Sequence, residues 1–327
     1  VPAARWLLGS PPGPGFSFAN ERPAHAVEVP EFEIDAQPVT WSQYAMQARH
    51  FGLGLLKLGV LPGQPIAILS ENRKEWLYAE LGAALVRTIT AGIYPTSPAS
   101  EVEYLLALSE TPVVVLEDQE QLDKVLSVRA RLPHLRAIVI MDSRGLRRYD
   151  REGLHDFAVV LDLGKAFEVE QPQAAATACE GPQLDDIGLM VFTSGSTGRP
   201  KAAMMSWRGL GTAARGLDTA LQLSDRDQIV SYLPLCHVAE QMFSLHVPLT
   251  KGAVVNFAES LRTIQEDLRE VAPQVFFGVP RIWEKFHASI ETKVRETGGL
   301  RAWLFRHAMH RLQVMSSTRA AGLLGKL

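Results

Sequence analysis

The chain runs Ile187-Gly188-Leu189-Met190-Val191-Phe192 directly into Thr193-Ser194-Gly195-Ser196-Thr197-Gly198-Arg199-Pro200-Lys201. The apolar run has the length and composition of a buried strand. It delivers a turn built from hydroxyls, two glycines and one lysine. Lys201-Ala202-Ala203-Met204-Met205-Ser206 then reads as a second short strand. A strand that ends in such a loop suits the grip on a polyphosphate. Gly195 and Gly198 let the backbone approach closely and turn N–H groups inward. Thr193, Ser194, Ser196 and Thr197 add neutral donors, and Lys201 adds a full positive charge. A solvated Ser/Thr/Gly turn has the same composition. A Walker A loop does not fit, because the G-x-x-x-x-G-K-[ST] spacing is not met. Pro200 also pushes its predecessor to extended backbone, against a helix starting at the lysine.

Outward from this loop the chain alternates strand and helix signals. Thr40 with Gln43 reads as a capping box that opens a helix through Leu58. Ile66–Leu69 is a short apolar strand, and Asn72 can cap a helix from Arg73 to Val86. Thr88–Tyr94 reads as a strand, and Ser100 with Glu103 opens the next helix. Val113–Leu116 is a strand, Asp118–Arg131 a helix and Ala137–Ile140 a strand. After the loop, Ile229–Leu233, Ala253–Phe257 and Val275–Phe277 read as strands with helices between. Such alternation predicts an α/β fold with largely parallel sheets covered by helices on both faces. Residues 1–35 read as an N-terminal extension, 36–170 as a first α/β subdomain and 183–327 as a second. The Ala/Pro/Gln-rich stretch 171–182 reads as the linker between them.

The loop residues are similar to the signature of the adenylate-forming superfamily of acyl-CoA synthetases, luciferases and peptide-synthetase adenylation domains. Further segments agree. Ser231-Tyr232-Leu233-Pro234-Leu235-Cys236-His237-Val238-Ala239-Glu240-Gln241 resembles the superfamily's second signature, in wording closest to long-chain fatty acyl-CoA synthetases. Phe277-Gly278-Val279-Pro280-Arg281-Ile282-Trp283-Glu284-Lys285-Phe286 is similar to a segment of that branch, as are Glu71–Trp76 and Ile93–Ser97. The resemblance spans roughly residues 36 to 315, in order. Ala202 departs from it, standing where the family usually carries glycine.

The resemblance implies a fold, the N-terminal domain of an adenylate-forming enzyme, and a chemistry. A long-chain fatty acid carboxylate attacks the α-phosphate of ATP, and coenzyme A then displaces AMP to give the thioester. It implies that Thr193, Ser194, Gly195, Ser196, Thr197, Gly198 and Lys201 hold the phosphates, with Thr193 as a Mg2+ ligand. It gives Lys201 and His237 catalytic roles and sets His237 and Glu240 on the substrate side. Glu240 also reads as an acid at a helix N-terminus, favoured by the dipole. The family's acidic Mg2+ ligand, adenine contacts and C-terminal lysine have no matching residue before Leu327. The expectation is therefore an internal fragment of a longer protein, inactive by itself. Adenylation of an aryl or amino acid, and a non-catalytic nucleotide-binding remnant, are the other readings.

Composition agrees with a soluble enzyme portion. The 327 residues are 46% hydrophobic and 21% charged, enough for a large core. A net charge of -3 gives no electrostatic reason to bind nucleic acid. Cys179 and Cys236 are the only cysteines, which suits a reducing cytoplasm. Cys236 beside His237 suggests a Cys–His pair, but neighbours in extended chain point to opposite faces. No apolar run reaches the ~18 residues of a membrane span. Residues 300–327 carry Arg301, Arg306, Arg311, Arg319 and Lys326 on an amphipathic helical pattern. That pattern fits peripheral contact with an anionic inner membrane face, or docking on further protein with a solvated basic face.

Overall fold

The computed structural model describes residues 38–194, 198–299, 303–305 and 307–311. The expected extension 1–35 and most of the basic segment 300–327 lie outside the described residues. The chain divides into two compact units, Val1–Val275 and Phe276–Leu327.

The first unit is built on a seven-stranded sheet in the order β5-β4-β3-β1-β2-β6-β7. Its strands are β1 (Pro65–Leu69), β2 (Ile89–Ile93), β3 (Val113–Leu116), β4 (Ala137–Ile140), β5 (Leu154–Asp156), β6 (Ile187–Ser194) and β7 (Pro200–Ser206). All neighbours are parallel except β6 and β7, which pair antiparallel. The helices are α1 (Trp41–Lys57), α2 (Lys74–Leu85), α3 (Ala99–Leu108), α4 (Gln119–Val128), α5 (Phe157–Glu170), α6 (Pro172–Ala178) and α7 (Trp207–Leu221). A second parallel pair, β8 (Gln228–Ser231) with β9 (Val254–Phe257), follows. Between these strands run α8 (Val238–Gln241), a π-helical turn at Met242–His246 and α9 (Val247–Lys251); α10 (Ile264–Val271) comes after β9.

Period-2 alternation explains why the central strands read as continuous apolar runs. Ile66, Ile68, Val113, Val115 and Val139 face one side and pack with Phe51 and Leu55 of α1 and Trp76 of α2. Ala67, Leu69, Val114, Leu116, Ile138 and Ile140 face the other and pack with Leu105 of α3 and Leu122 of α4. Both faces are buried, so β1, β3 and β4 carry no polar residue on either face.

The capping box is present: Thr40 accepts from Gln43 N, and the Gln43 side chain accepts from Thr40 N. Other expected caps differ. α2 starts after Arg73 with no side-chain cap, because the Asn72 amide is engaged elsewhere. α3 starts after Pro98, whose carbonyl accepts from Val102 N, so Ser100 lies within the helix. β5 has no sequence expectation behind it: it is three residues long and only Leu154 is apolar. The expected strand 275–277 is reduced to one bridge, Val275 with Ile229. Within 171–182, read as a linker, the alanines form α6 with Pro172 at its first turn, and Ala175 and Cys179 pack on Leu53 and Leu85. The sheet continues across this stretch, with β6 beside β2.

Candidate functional site

The Thr193–Lys201 segment is the tip of the β6–β7 hairpin. Thr193 stands opposite Lys201 and Ser194 opposite Pro200 in its register. The Thr193 hydroxyl donates to the Lys201 carbonyl at 3.5 Å. Gly198 has φ +98, a backbone that side-chain-bearing residues rarely adopt. The Ser194 side chain and residues Gly195, Ser196 and Thr197 lie outside the described residues. Lys201 is exposed, and among the described residues no carboxylate pairs with it. Ala202, where the sequence departs from the resemblance, is extended and pairs with Phe192.

The hairpin is anchored at both ends. Near the tip, Tyr104 donates to the Pro200 carbonyl at 3.1 Å, and the Arg199 guanidinium lies 5.4 Å from the Tyr104 ring centre. At the base, Arg87 grips Asp186 with a two-pronged contact at 2.8 and 3.0 Å.

The second segment, Ser231–Gln241, turns sharply after β8, and buried and half-buried side chains occupy its backbone polar groups. Glu240 is 2% exposed; it accepts from Tyr232 N at 3.1 Å, from Leu233 N at 3.3 Å, and from the hydroxyls of Ser244 and Ser231. Burial pushes its carboxyl above the usual range, although these donors pull it down. Asn72 donates to Ser231 Oγ at 2.9 Å and to Leu233 O at 2.6 Å, and accepts from Leu235 N at 2.9 Å. Gln241 Nε2 donates to Leu235 O at 2.8 Å and to Glu80 Oε2 at 2.7 Å. Trp76 Nε1 donates to the same Glu80 oxygen at 3.0 Å. Burial pushes the Glu80 carboxyl up to about 7 despite both bonds.

His237 is exposed where its neighbour Cys236 is buried. Its Nδ1 accepts from Ala239 N at 3.1 Å and caps α8. That bond assigns the proton of the neutral ring to Nε2, which is left as a donor facing outward. Cys236 backs onto β2 so closely that a Cβ on Gly92 would lie 2.7 Å from its Cα. Burial pushes the Cys236 thiol up to about 12, so it is no partner for the imidazole. One hydrophobic cluster brings the two segments together: Leu189 and Val191 of β6, Trp207 and Leu210 of α7, and Met242, with Val238 packed against them. The roles of Asn72, Glu80 and Gln241 were not legible as site residues. Asn72 and Gln241 fell inside segments that carry the resemblance, but no role attached to either, and an asparagine at a strand end more commonly caps a helix.

In the second unit, Pro280 opens α11 (Pro280–Thr297) at its first turn. Trp283 Nε1 donates to Gly278 O at 2.9 Å, and Phe276, Trp283 and Phe286 form a ring cluster with centres 5.6 to 6.2 Å apart. The signature-like wording of this segment thus has a local structural use.

Comparison with known proteins follows the same lines. The chain is 33% identical over 279 residues to a long-chain-fatty-acid–CoA ligase of Rattus norvegicus, and 30% identical over 272 residues to another ligase of that name from Homo sapiens. These matches cover 83% and 82% of this chain but 38% and 40% of those proteins, so the chain spans about two fifths of their length. In fold it is similar to an anthranilate CoA ligase solved in complex with anthranoyl-AMP, with a TM-score of 0.65 and 24% identity, over 76% of this chain and 46% of that one. Residues 18–323 match the AMP-binding enzyme family. Because that match covers well over half of the chain, the chain belongs to the AMP-binding enzymes.

Proposed function

We propose that this chain supplies the phosphate grip and part of the acyl side of a long-chain fatty acid–CoA ligase that works through an acyl-adenylate. The observation that carries the reading is the hairpin, which sets Lys201, exposed and with no carboxylate partner among the described residues, opposite Thr193 at the end of a buried strand. The names of the curated relatives support the substrate class.

The fatty acid carboxylate is already a nucleophile at neutral pH, so the protein supplies position and charge. Lys201 and the hydroxyls and amides of residues 193–198 hold the β- and γ-phosphates of ATP. Lys201 meets the charge that gathers on the departing pyrophosphate. Thr193 offers one exposed hydroxyl oxygen, which suits Mg2+, a cation usually held by few protein oxygens and the substrate phosphates. Bound there, Mg2+ would neutralise phosphate charge. His237 directs its Nε2–H donor to the carboxylate or α-phosphate. Glu240 serves the substrate side through the turn it holds, Tyr232–Leu233. Coenzyme A takes the acyl group in the second step. Cytoplasmic placement and peripheral membrane contact through 300–327 belong to the same proposal. Among the described residues no helix is long and apolar enough to cross a membrane.

The test is palmitate-dependent exchange of pyrophosphate into ATP by the full natural protein and its Lys201→Ala variant. Loss of one preorganised donor lowers rates by about 10²–10³, and an exposed lysine belongs at the lower end. Thermal melting of the two proteins should agree, since Lys201 packs in no core cluster. An active variant that melts normally would return the hairpin tip to an ordinary turn.

A further inference from the structure

We propose that Asn72 is a positioning residue for His237: it registers the Ser231–Cys236 turn against the seven-stranded sheet. The inference rests on the preceding reading for its catalytic consequence only. Asn72 follows β1 and precedes α2, where an asparagine would ordinarily cap the helix. Here the cap is absent, and both amide protons and the carbonyl oxygen go to the turn, 159 to 163 residues away. No other side chain of this length offers two donors and one acceptor in that arrangement except an amide. Aspartate keeps the acceptor for Leu235 N but places a carboxylate oxygen against the Leu233 carbonyl. Serine and alanine lose at least two of the bonds.

The remaining backbone groups of the turn show why this contact differs from its neighbours. Tyr232 N and Leu233 N are taken by Glu240, and Leu235 O by Gln241. Both residues belong to α8, the turn's own continuation, so they fold it back on itself. Asn72 instead comes from the end of β1. β1 pairs with β2, and β2 pairs with β6, the strand that ends at Thr193. The route from Asn72 to the phosphate grip is therefore three adjacent strands of one sheet. Glu71–Trp76 stood out in the sequence beside the two signature segments, and Asn72 gives that stretch a use within the site.

The experiment compares Asn72→Ala, Asn72→Asp and, as a control, Thr40→Ala, which removes a helix cap remote from the turn. Three quantities are read: amide exchange at Leu235, the His237 ring resonance, and kcat against KM for adenylate formation in the full chain. In Asn72→Ala, exchange at Leu235 should rise about tenfold, as befits one or two lost hydrogen bonds, and the His237 resonance should move. Its kcat should fall about tenfold or more while KM for ATP stays within about twofold. Thr40→Ala should melt at lower temperature with all three quantities as in the wild type. Asn72→Asp should keep the protection at Leu235, move the His237 resonance and lie between the other two in kcat. An Asn72→Ala protein with wild-type exchange at Leu235 and an unmoved His237 resonance overturns the proposal, as does a kcat no lower than that of Thr40→Ala. If Asn72→Ala does not fold, an unmoved His237 resonance in Asn72→Asp overturns it instead. The exchange and resonance readings need no turnover. A wild type that forms no adenylate would therefore sink the proposed function, and those two readings would still decide this one.

Discussion

Glu80 sits in the middle of α2, fully enclosed, with Trp76 and Gln241 both donating to one carboxylate oxygen. Burial raises its carboxyl from 4.5 to about 7. Folded, it keeps its proton through a window in which the unfolded chain has already released it. The stabilisation is therefore complete below pH 4.5 and is lost as pH rises toward about 7. Glu80→Gln keeps the acceptor for Trp76 and Gln241 and removes the ionisation. Urea melts at pH 5 and pH 8 should show Glu80→Gln gaining on the wild type by about 2 kcal/mol across that interval, from a shift worth about 1.4 kcal/mol per unit. Equal pH slopes would mean that Glu80 is not the titrating group. None of this was legible beforehand, since a lone acid on a helix reads as a solvated face. Burial by a distant segment is invisible to local pattern.

Among the elements, α1 is closely enclosed. It lies between α2 and α5, and glycines line both contacts. A Cβ on Gly164 of α5 would stand 1.8 Å from the His50 carbonyl oxygen, and one on Gly52 would stand 2.3 Å from Gly82 O. The obstacle is backbone, which cannot swing aside as a side chain can. Gly164→Ala should therefore cost about 3 kcal/mol or more, at or above the upper end of ordinary overpacking. Thermal melting reads the loss, and a melt within a degree or two of the wild type would show that α5 slides freely on α1. Elements with strong local signals were legible: the capping box of α1, the apolar strands β1 to β4 and the hairpin pair β6–β7. β5 and α6 were not. Three residues with one apolar side chain carry no period, and an alanine-rich stretch containing Pro and Gln supports helix and linker equally.

At the scale of the whole molecule, the alternation of strand and helix identified a largely parallel sheet, and the two signature segments, far apart in sequence, pack on one hydrophobic cluster. Pattern could not give the strand order. From β5 at the edge the chain crosses β4, β3, β1 and β2 before β6 pairs beside β2, a choice made by packing of both sheet faces and not by any local residue. The route of the Asn72 contact has a consequence for the time course of folding. Thr193 and Lys201 lie 8 residues apart and meet when a small hairpin closes, whereas Asn72 and Leu235 lie 163 apart. Closing the longer loop costs more chain entropy and waits for the sheet that Asn72 stands on. During refolding, pulse-labelled amides of Val191 and Ala203 should gain protection before that of Leu235, and the reverse order would contradict this sequence of events. On that order the β6–β7 hairpin matures while the His237 turn is still unplaced, and completion of the latter marks the arrival of the native chain.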